Sequence, residues 1–125
     1  MAEAERFYTV EEANAALPEL RAALGRIREA RRTIVRSARH VRSMATTNGG
    51  GPEGTEHWGA VRTLRRELEA LAARGIVLRD AERGLVDFPA RRDGRLVYLC
   101  WRPDEEDRVG FWHEVNSGFA GRKPL

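Results

Sequence analysis

The sequence predicts an α+β fold in which a long antiparallel helical hairpin, coiled-coil-like in its spacing, packs on a small, mostly antiparallel sheet of about four strands. Two observations support this prediction. Up to Gly75, apolar residues recur at alternating steps of three and four, which is the period of a helical seam. After Gly75, short runs rich in branched and aromatic residues alternate with turn residues, which is typical of strands.

The length and the cysteine content fit one domain. With 125 residues and one cysteine, the chain is long enough to bury a core without disulfides or a structural metal. We expect a single domain over residues 1–125, with a helical hairpin at 9–75 and a sheet with a C-terminal tail at 76–125. The tip of the hairpin, residues 46–55, is predicted to be a mobile loop because its glycines and proline stop a helix.

The first helix is predicted to begin at a capping box. Thr9 is followed three residues later by Glu12, so each can bond the backbone N–H of the other. Pro18 removes a backbone donor, so the helix either bends there or ends and restarts, and we expect a bend. The seam has one charged member, Arg31, and its apolar positions are Leu17, Leu20, Leu24, Ile27, Ile34, Ala38, Val41 and Ala45.

A second, shorter helix is predicted from Glu56 to Ala73, closed by a left-handed cap at Gly75. Its seam consists of Val61, Leu64, Leu68 and Leu71. Because the first helix is the longer one, its apolar residues near Leu17 extend past the second helix. The sheet is the remaining partner for them, so we expect a core at the base of the hairpin.

Four strands are expected in the second half of the chain, namely Ile76–Arg79, Leu85–Phe88, Leu96–Trp101 and Val109–Trp112. Asp93 and Gly94 form a favoured pair for a two-residue hairpin turn. Carrying the register outward from this turn sets Asp87 opposite Cys100, unless a bulge near Pro89 shifts it.

The two faces of this sheet differ in polarity, because side chains alternate along a strand. The more apolar face is expected to pack on the helices and consists of Val86, Phe88, Val97, Leu99 and Trp101. The opposite face carries Leu85, Asp87, Leu96, Tyr98 and Cys100.

The orientation of the last strand decides which of its polar residues join Asp87. If its apolar residues Val109, Phe111 and Val115 face the helices, then Trp112 and Glu114 turn toward Asp87 and Cys100, and His113 turns toward the helices. We expect this orientation. A register slip of one residue exchanges His113 and Glu114.

The charge pattern favours a solvated surface over a nucleic-acid interface. The chain has 22 basic and 19 acidic residues, a net charge of +3, and Lys123 is its only lysine. The arginines of the first helix form a basic strip, but no aromatic residue interrupts the strip to stack on bases. We therefore do not expect nucleic acid as a partner.

The compartment is predicted from what the sequence lacks. No run approaches the roughly 20 consecutive apolar residues needed to cross a bilayer. The first twenty residues are acidic and contain no apolar signal core, and the single cysteine forms no intramolecular bridge. We expect a soluble, cytoplasmic protein with no membrane partner.

The candidate site lies on the polar face of the sheet. Thiolate, carboxylate and imidazole groups all bind divalent transition metals, and the four candidate ligands are Asp87, Cys100, His113 and Glu114. Three further residues are candidates for binding a ligand in a polar-aromatic pocket, namely Tyr98, Trp112 and Arg122.

Two other interpretations of these residues remain open. Cys100 is a nucleophile with His113 as its base if the thiol is acidic and accessible. In the structural interpretation, Cys100 fills space in the core, His113 is a hydrogen-bonded core residue and Glu114 is solvated. Arg122 either binds an anion or pairs with a carboxylate.

The function predicted from these features is that of a small binding protein whose pocket holds a small molecule or a metal. A metal-assisted hydrolase or oxidoreductase is one alternative, and a nucleic-acid or protein adaptor that uses the arginine-rich helix is another. The sequence leaves open whether the protein is an enzyme. We also expect a homodimer formed through a helical surface. His57 and Trp58 near the hairpin tip either mark this contact or, in the alternative, the Trp58 indole lies against its own helix.

Several blocks of the sequence together resemble one bacterial family. The blocks are Phe7–Asn14, Gly84–Pro89, Tyr98–Trp101, Trp112–Glu114 and Gly118–Arg122. In this order, and separated by an arginine- and alanine-rich hairpin, they resemble the family called domain of unknown function 2203 over nearly the whole chain. The resemblance implies a free-standing cytoplasmic protein and no established activity, substrate or catalytic residue.

Overall fold

The structure, a computed structural model, describes residues 6–44 and 51–125. Helix α1 spans Val10–Met44 and helix α2 spans Gly51–Ala73. Ion pairs join Arg26 to Glu67 and Arg36 to Glu56, so positions later in α1 meet positions earlier in α2. The two helices are therefore antiparallel, as predicted.

The start of α1 confirms the capping box. The backbone N–H of Thr9 donates to Glu12 Oε1, the N–H of Glu12 donates to Thr9 Oγ1, and both bonds are 3.0 Å long. The helix continues through Pro18 without interruption, which excludes the alternative in which it ends and restarts. The bend at Pro18 stays a prediction.

Helix α2 begins earlier than predicted. Residues 51–55, expected to belong to the loop, are helical, and residues 46–50 lie outside the described part of the chain. Pro52 falls in the first turn, where a helix needs no backbone donor, so a proline there does not prevent the helix from starting. At the other end, Gly75 has the predicted left-handed conformation, with a φ of 74°.

The sheet has five antiparallel strands in the order β1-β2-β3-β4-β5, one more than expected. Their bounds are Val77–Asp80, Leu85–Arg92, Arg95–Trp101, Phe111–Glu114 and Lys123–Pro124. A short 3₁₀ helix, Phe119–Gly121, precedes β5. The α+β class is confirmed, with a helical hairpin packed on an antiparallel sheet.

The β2–β3 hairpin has the predicted turn and register. Asp93 and Gly94 both have positive φ values, 54° and 78°, as the favoured two-residue turn requires. Asp87 pairs with Cys100, and Pro89 pairs with Tyr98 without a bulge.

The core lies between the hairpin base and the predicted apolar face of the sheet. Leu17, Leu20 and Leu24 of α1 belong to one buried cluster with residues of β2 and β3, which include Val86, Phe88, Val97, Leu99 and Trp101. This packing leaves the opposite face of the same strands free of the helices, and Asp87 and Cys100 lie on that face.

The orientation predicted for β4 is wrong. Cys100 pairs with Phe111 and Leu99 pairs with Trp112, so Phe111 and His113 share the face of Asp87, while Trp112 joins the core. Val115 is exposed rather than packed. Residues three apart on a regular strand lie on opposite faces, yet Val109 and Trp112 both enter the core. This is possible because Val109 precedes β4 and does not follow the alternation of its side chains.

Two further observations concern partners. His57 is buried in the hairpin, where its Nδ1 lies 2.8 Å from Ser37 Oγ, whereas Trp58 beside it is half-exposed. The homodimer stays a prediction.

Within the described residues, no helix combines the length and the apolarity that crossing a membrane requires.

Shortening Leu20 to alanine is expected to lower the free energy of unfolding by about 2–5 kcal/mol, because the side chain is fully buried and its removal leaves a cavity. Urea unfolding measures the change. The matched control is Val35→Ala on the same helix, where the side chain is 76% exposed and the change should stay within about 0.5 kcal/mol. Equal losses at the two positions would contradict the placement of the core.

Candidate metal centre

Three buried side chains from three neighbouring strands converge on the face of the sheet that points away from the helices. Asp87 comes from β2, Cys100 from β3 and His113 from β4, and each is no more than 2% exposed. One potential ligand atom from each residue lies within 4.8 Å of the other two. We call these three residues the triad. It could hold a metal ion.

Asp87 has one satisfied oxygen and one unsatisfied oxygen. Its Oδ2 accepts a hydrogen bond from Arg79 Nε at 2.8 Å and lies 3.0 Å from His113 Nε2. Its Oδ1 is buried and has no hydrogen-bond partner among the described residues. A buried oxygen left without a partner costs about 1–3 kcal/mol, and more when it is charged, so this atom needs an explanation.

The hydrogen bonds of His113 fix which of its nitrogens carries the proton. Nδ1 lies 2.7 Å from the backbone oxygen of Glu114, and a carbonyl oxygen only accepts, so Nδ1 carries a hydrogen and donates it. In the neutral ring Nε2 then has a lone pair, which faces Asp87 Oδ2. Two lone pairs at 3.0 Å repel unless a cation lies between them. That cation is either a proton or a metal ion.

The surroundings of Cys100 disfavour its thiolate form. Burial, with a smaller contribution from the negative charge of Asp87, raises the pKa of its thiol from 9.0 to about 11, against the opposing influence of Arg122. The free thiol is therefore protonated at neutral pH, whereas nucleophilic catalysis requires a thiolate. This argues against the cysteine-nucleophile alternative. A bound metal would displace the thiol proton.

Each member of the triad contacts a further polar group outside the triad. Arg79 donates to Asp87, the Glu114 carbonyl accepts from His113, and Arg122 Nη1 lies 3.8 Å from Cys100 Sγ. Outer partners of this kind orient metal ligands, and a histidine that donates its second nitrogen to a carbonyl is a common example.

A cavity of about 450 Å³ adjoins the triad. Its other lining residues are Arg79, Leu85, Val115, Asn116, Ser117, Gly118 and Phe119. Five of these belong to the segment between β4 and the end of the chain, which makes a turn and enters the 3₁₀ helix. The triad thus supplies three possible ligands and leaves one side facing a space that a water molecule or another ligand can occupy.

Glu114, predicted as a fourth metal ligand, lies on the other side of the sheet. It forms an ion pair with Arg95 at 2.6 Å, and this hydrogen-bonded contact lowers the pKa of the Glu114 carboxyl. The physical reason is the register of β4, which turns adjacent residues to opposite faces. The same register takes Trp112 out of the pocket, so that its ring lies under the charged ends of Arg92 and Lys123.

The other two predicted binding residues lie beside the triad. The Tyr98 ring is 5.6 Å from the ring of His113. Arg122 forms an ion pair with Glu105, and its guanidinium lies over Phe111 and Phe119 at 4.0 and 4.2 Å from their centroids. Of the two roles predicted for Arg122, pairing with a carboxylate is the one observed.

Arg79 was missed by the sequence reasoning. Leu78 pairs with Val86, but Asp80 pairs with Leu85, so Arg79 is the extra residue of a bulge in β1. The bulge brings its guanidinium to Asp87 and over the ring of Tyr98, 5.0 Å from the centroid. The bulge could not be predicted, because the residues around Arg79 have no spacing that distinguishes a bulged strand from a regular one.

The family model for uncharacterized conserved proteins of the DUF2203 type matches residues 6–125, which is nearly the whole chain and includes the triad and Arg79. The chain belongs to the DUF2203 family. No curated protein and no solved structure matches it. The DUF2203 description assigns no activity, so the chemistry of the triad is the basis for a functional argument.

In this DUF2203 chain, alkylation of Cys100 by iodoacetamide should be slow at neutral pH. Since its thiol pKa is raised from 9.0 to about 11, the thiolate fraction should be about 100-fold below that of an ordinary cysteine, and burial slows the reaction further. Mass spectrometry across a pH series measures the rate, and the urea-unfolded protein is the control. Rapid labelling of the folded protein near pH 7 would contradict the assigned protonation state.

Proposed function

We propose that the protein binds one divalent transition-metal ion through Asp87, Cys100 and His113 and presents a free coordination position to the adjoining cavity. The observation that carries this proposal is the unpartnered Asp87 Oδ1, buried within a triad whose potential ligand atoms lie within 4.8 Å of one another. A metal ion gives that oxygen a partner. It would also use the lone pair of His113 Nε2 as a ligand.

The mixed donor set favours a transition metal of intermediate softness. Thiolate and imidazole are poor ligands for Mg²⁺ and Ca²⁺, which prefer oxygen, but they suit Zn²⁺ and its neighbours. Zinc sites that are purely structural are closed by four protein ligands, whereas sites with three protein ligands keep a position for water or substrate. The triad corresponds to the second type.

The cavity residues support a binding protein over a hydrolase. A metal-assisted hydrolase benefits from a general base beside the metal-bound water. Outside the triad, the described residues that line the cavity offer Arg79, Asn116 and Ser117 as polar groups, and none of these is a usual base at neutral pH. We therefore place metal-dependent binding of a small molecule ahead of hydrolysis.

Metal affinity is expected to increase with pH in the neutral range. The metal binds thiolate, so it displaces the proton that burial holds on Cys100. Raising the pH lowers the cost of losing that proton. Isothermal titration in buffers of different ionisation enthalpy should detect proton release on binding, and binding without any proton release would contradict a thiolate ligand.

Protein purified without a metal-affinity tag should bind Co²⁺ with a stoichiometry of one and show a thiolate-to-cobalt charge-transfer band. Cys100→Ser should abolish the band, and Asp87→Asn and His113→Gln should each weaken binding by more than about 100-fold, because each removes a direct ligand. At 100 times the dissociation constant, metal should stabilise the wild-type fold by about 2.7 kcal/mol.

Two matched controls separate the triad from the rest of the chain. Glu114→Gln removes a carboxylate next to His113 but on the other face, and His57→Gln removes a buried histidine in the helical hairpin. Both variants should bind Co²⁺ as the wild type does. A wild-type protein without the charge-transfer band, or a Cys100→Ser variant that retains it, would refute the proposal.

A further inference from the structure

We infer that the free position of the metal takes the carboxylate group of a small organic acid, with Arg79 as its second anchor. This inference rests on the proposed metal site and names the class of ligand for it. Arg79 lines the same cavity as the triad and contacts the triad directly, through its bond to Asp87 Oδ2.

The local charge favours a ligand with a single negative charge. A divalent metal is balanced by the Asp87 carboxylate and the Cys100 thiolate. The charge of Arg122 is balanced by Glu105, with which it forms an ion pair. The negative charge of Asp87 already balances the metal, so it does not also balance Arg79, although the two side chains are in contact. Arg79 therefore leaves one unbalanced positive charge at the cavity. A monoanion cancels this excess, whereas a dianion such as hydrogen phosphate overcompensates it.

The geometry of Arg79 leaves part of its guanidinium for a ligand. Its hydrogen bond to Asp87 is made by Nε, so the two terminal amino groups lie outside that bond. The guanidinium also rests over the Tyr98 ring, which limits its movement. A planar guanidinium held in this way matches the two oxygens of a carboxylate.

The cavity wall indicates that the ligand also has an apolar part. Val115 and Phe119 are 52% and 37% exposed, and both line the cavity together with Leu85. Apolar side chains around an ionic centre gain free energy when a ligand covers them. A cavity of about 450 Å³ lies within the range of small-molecule sites. The features together fit a short carboxylic acid with an aliphatic or aromatic substituent.

The test uses the full-length protein loaded with Co²⁺, whose visible absorption bands change when a ligand enters the metal's coordination sphere. Propionate should change these bands in a saturable way. Propionamide has the same shape without the charge and should bind at least about tenfold more weakly, since hydrogen bonds to charged groups are the stronger ones. At mildly alkaline pH, where inorganic phosphate is mostly the dianion, it should also bind more weakly than propionate.

Variants separate the anchor from the metal. Arg79→Gln should lower the affinity for propionate by at least about tenfold while the protein still takes up one Co²⁺ at saturating metal. The matched control is Arg83→Gln, which removes the same charge from an exposed position that does not line this cavity and should leave propionate binding unchanged. Phe119→Ala should weaken benzoate binding more than acetate binding, because it removes the apolar wall.

The outcomes distinguish this inference from the proposed function. If the wild type takes up no Co²⁺, both are overturned. If Co²⁺ binds with its charge-transfer band but propionate binds no better than propionamide or phosphate, the metal site stands and the carboxylate inference fails. Equal effects of Arg79→Gln and Arg83→Gln would likewise refute the role of Arg79.

Discussion

The register of the β2–β3 hairpin is the constraint on which both the core and the candidate site depend. The turn at Asp93 and Gly94 starts a ladder that continues without a bulge to the pair formed by Val86 and Trp101. A slip of one residue would turn Asp87 toward the helices and Phe88 toward the cavity. The same ladder therefore places the largest apolar side chains on one face and Asp87 and Cys100 on the other.

The two faces depend on each other energetically. Burying Asp87 and His113 carries a desolvation cost that hydrogen bonds repay only in part, because one carboxylate oxygen has no partner. The apolar side of the same strands offsets that cost, since Phe88 and Trp101 are fully buried against the hairpin. Rigid packing behind β2 and β3 also fixes the backbone from which Asp87 and Cys100 project, as a binding site requires.

Features set by short-range rules could be predicted from the sequence. The capping box at Thr9, the left-handed Gly75 and the pairing of Asp87 with Cys100 each follow from residues close together or from one turn. Features that depend on where an element starts could not be predicted. The two faces of β4 were predicted the wrong way round because the strand begins at Phe111, after Val109 has already entered the core. Arg79 could not be predicted because it reaches the site through a bulge in β1.

The observed orientation of β4 also bears on the choice between the structural and the functional interpretation of the cluster. Had Glu114 faced Asp87, two carboxylates would have met, and one protonated oxygen could have satisfied the pair without any ligand. His113 is there instead, and its Nδ1 is already committed to a carbonyl, so it has a single nitrogen left for the triad. That nitrogen faces Asp87 Oδ2, which also accepts from Arg79, while Oδ1 remains without a partner. A proton between His113 and Asp87 satisfies Oδ2, but the neutral Cys100 thiol is only a weak hydrogen-bond donor to Asp87, so Oδ1 still has no strong partner. A metal ion bound by all three side chains satisfies Oδ1, His113 and the thiolate together, which is why we favour it.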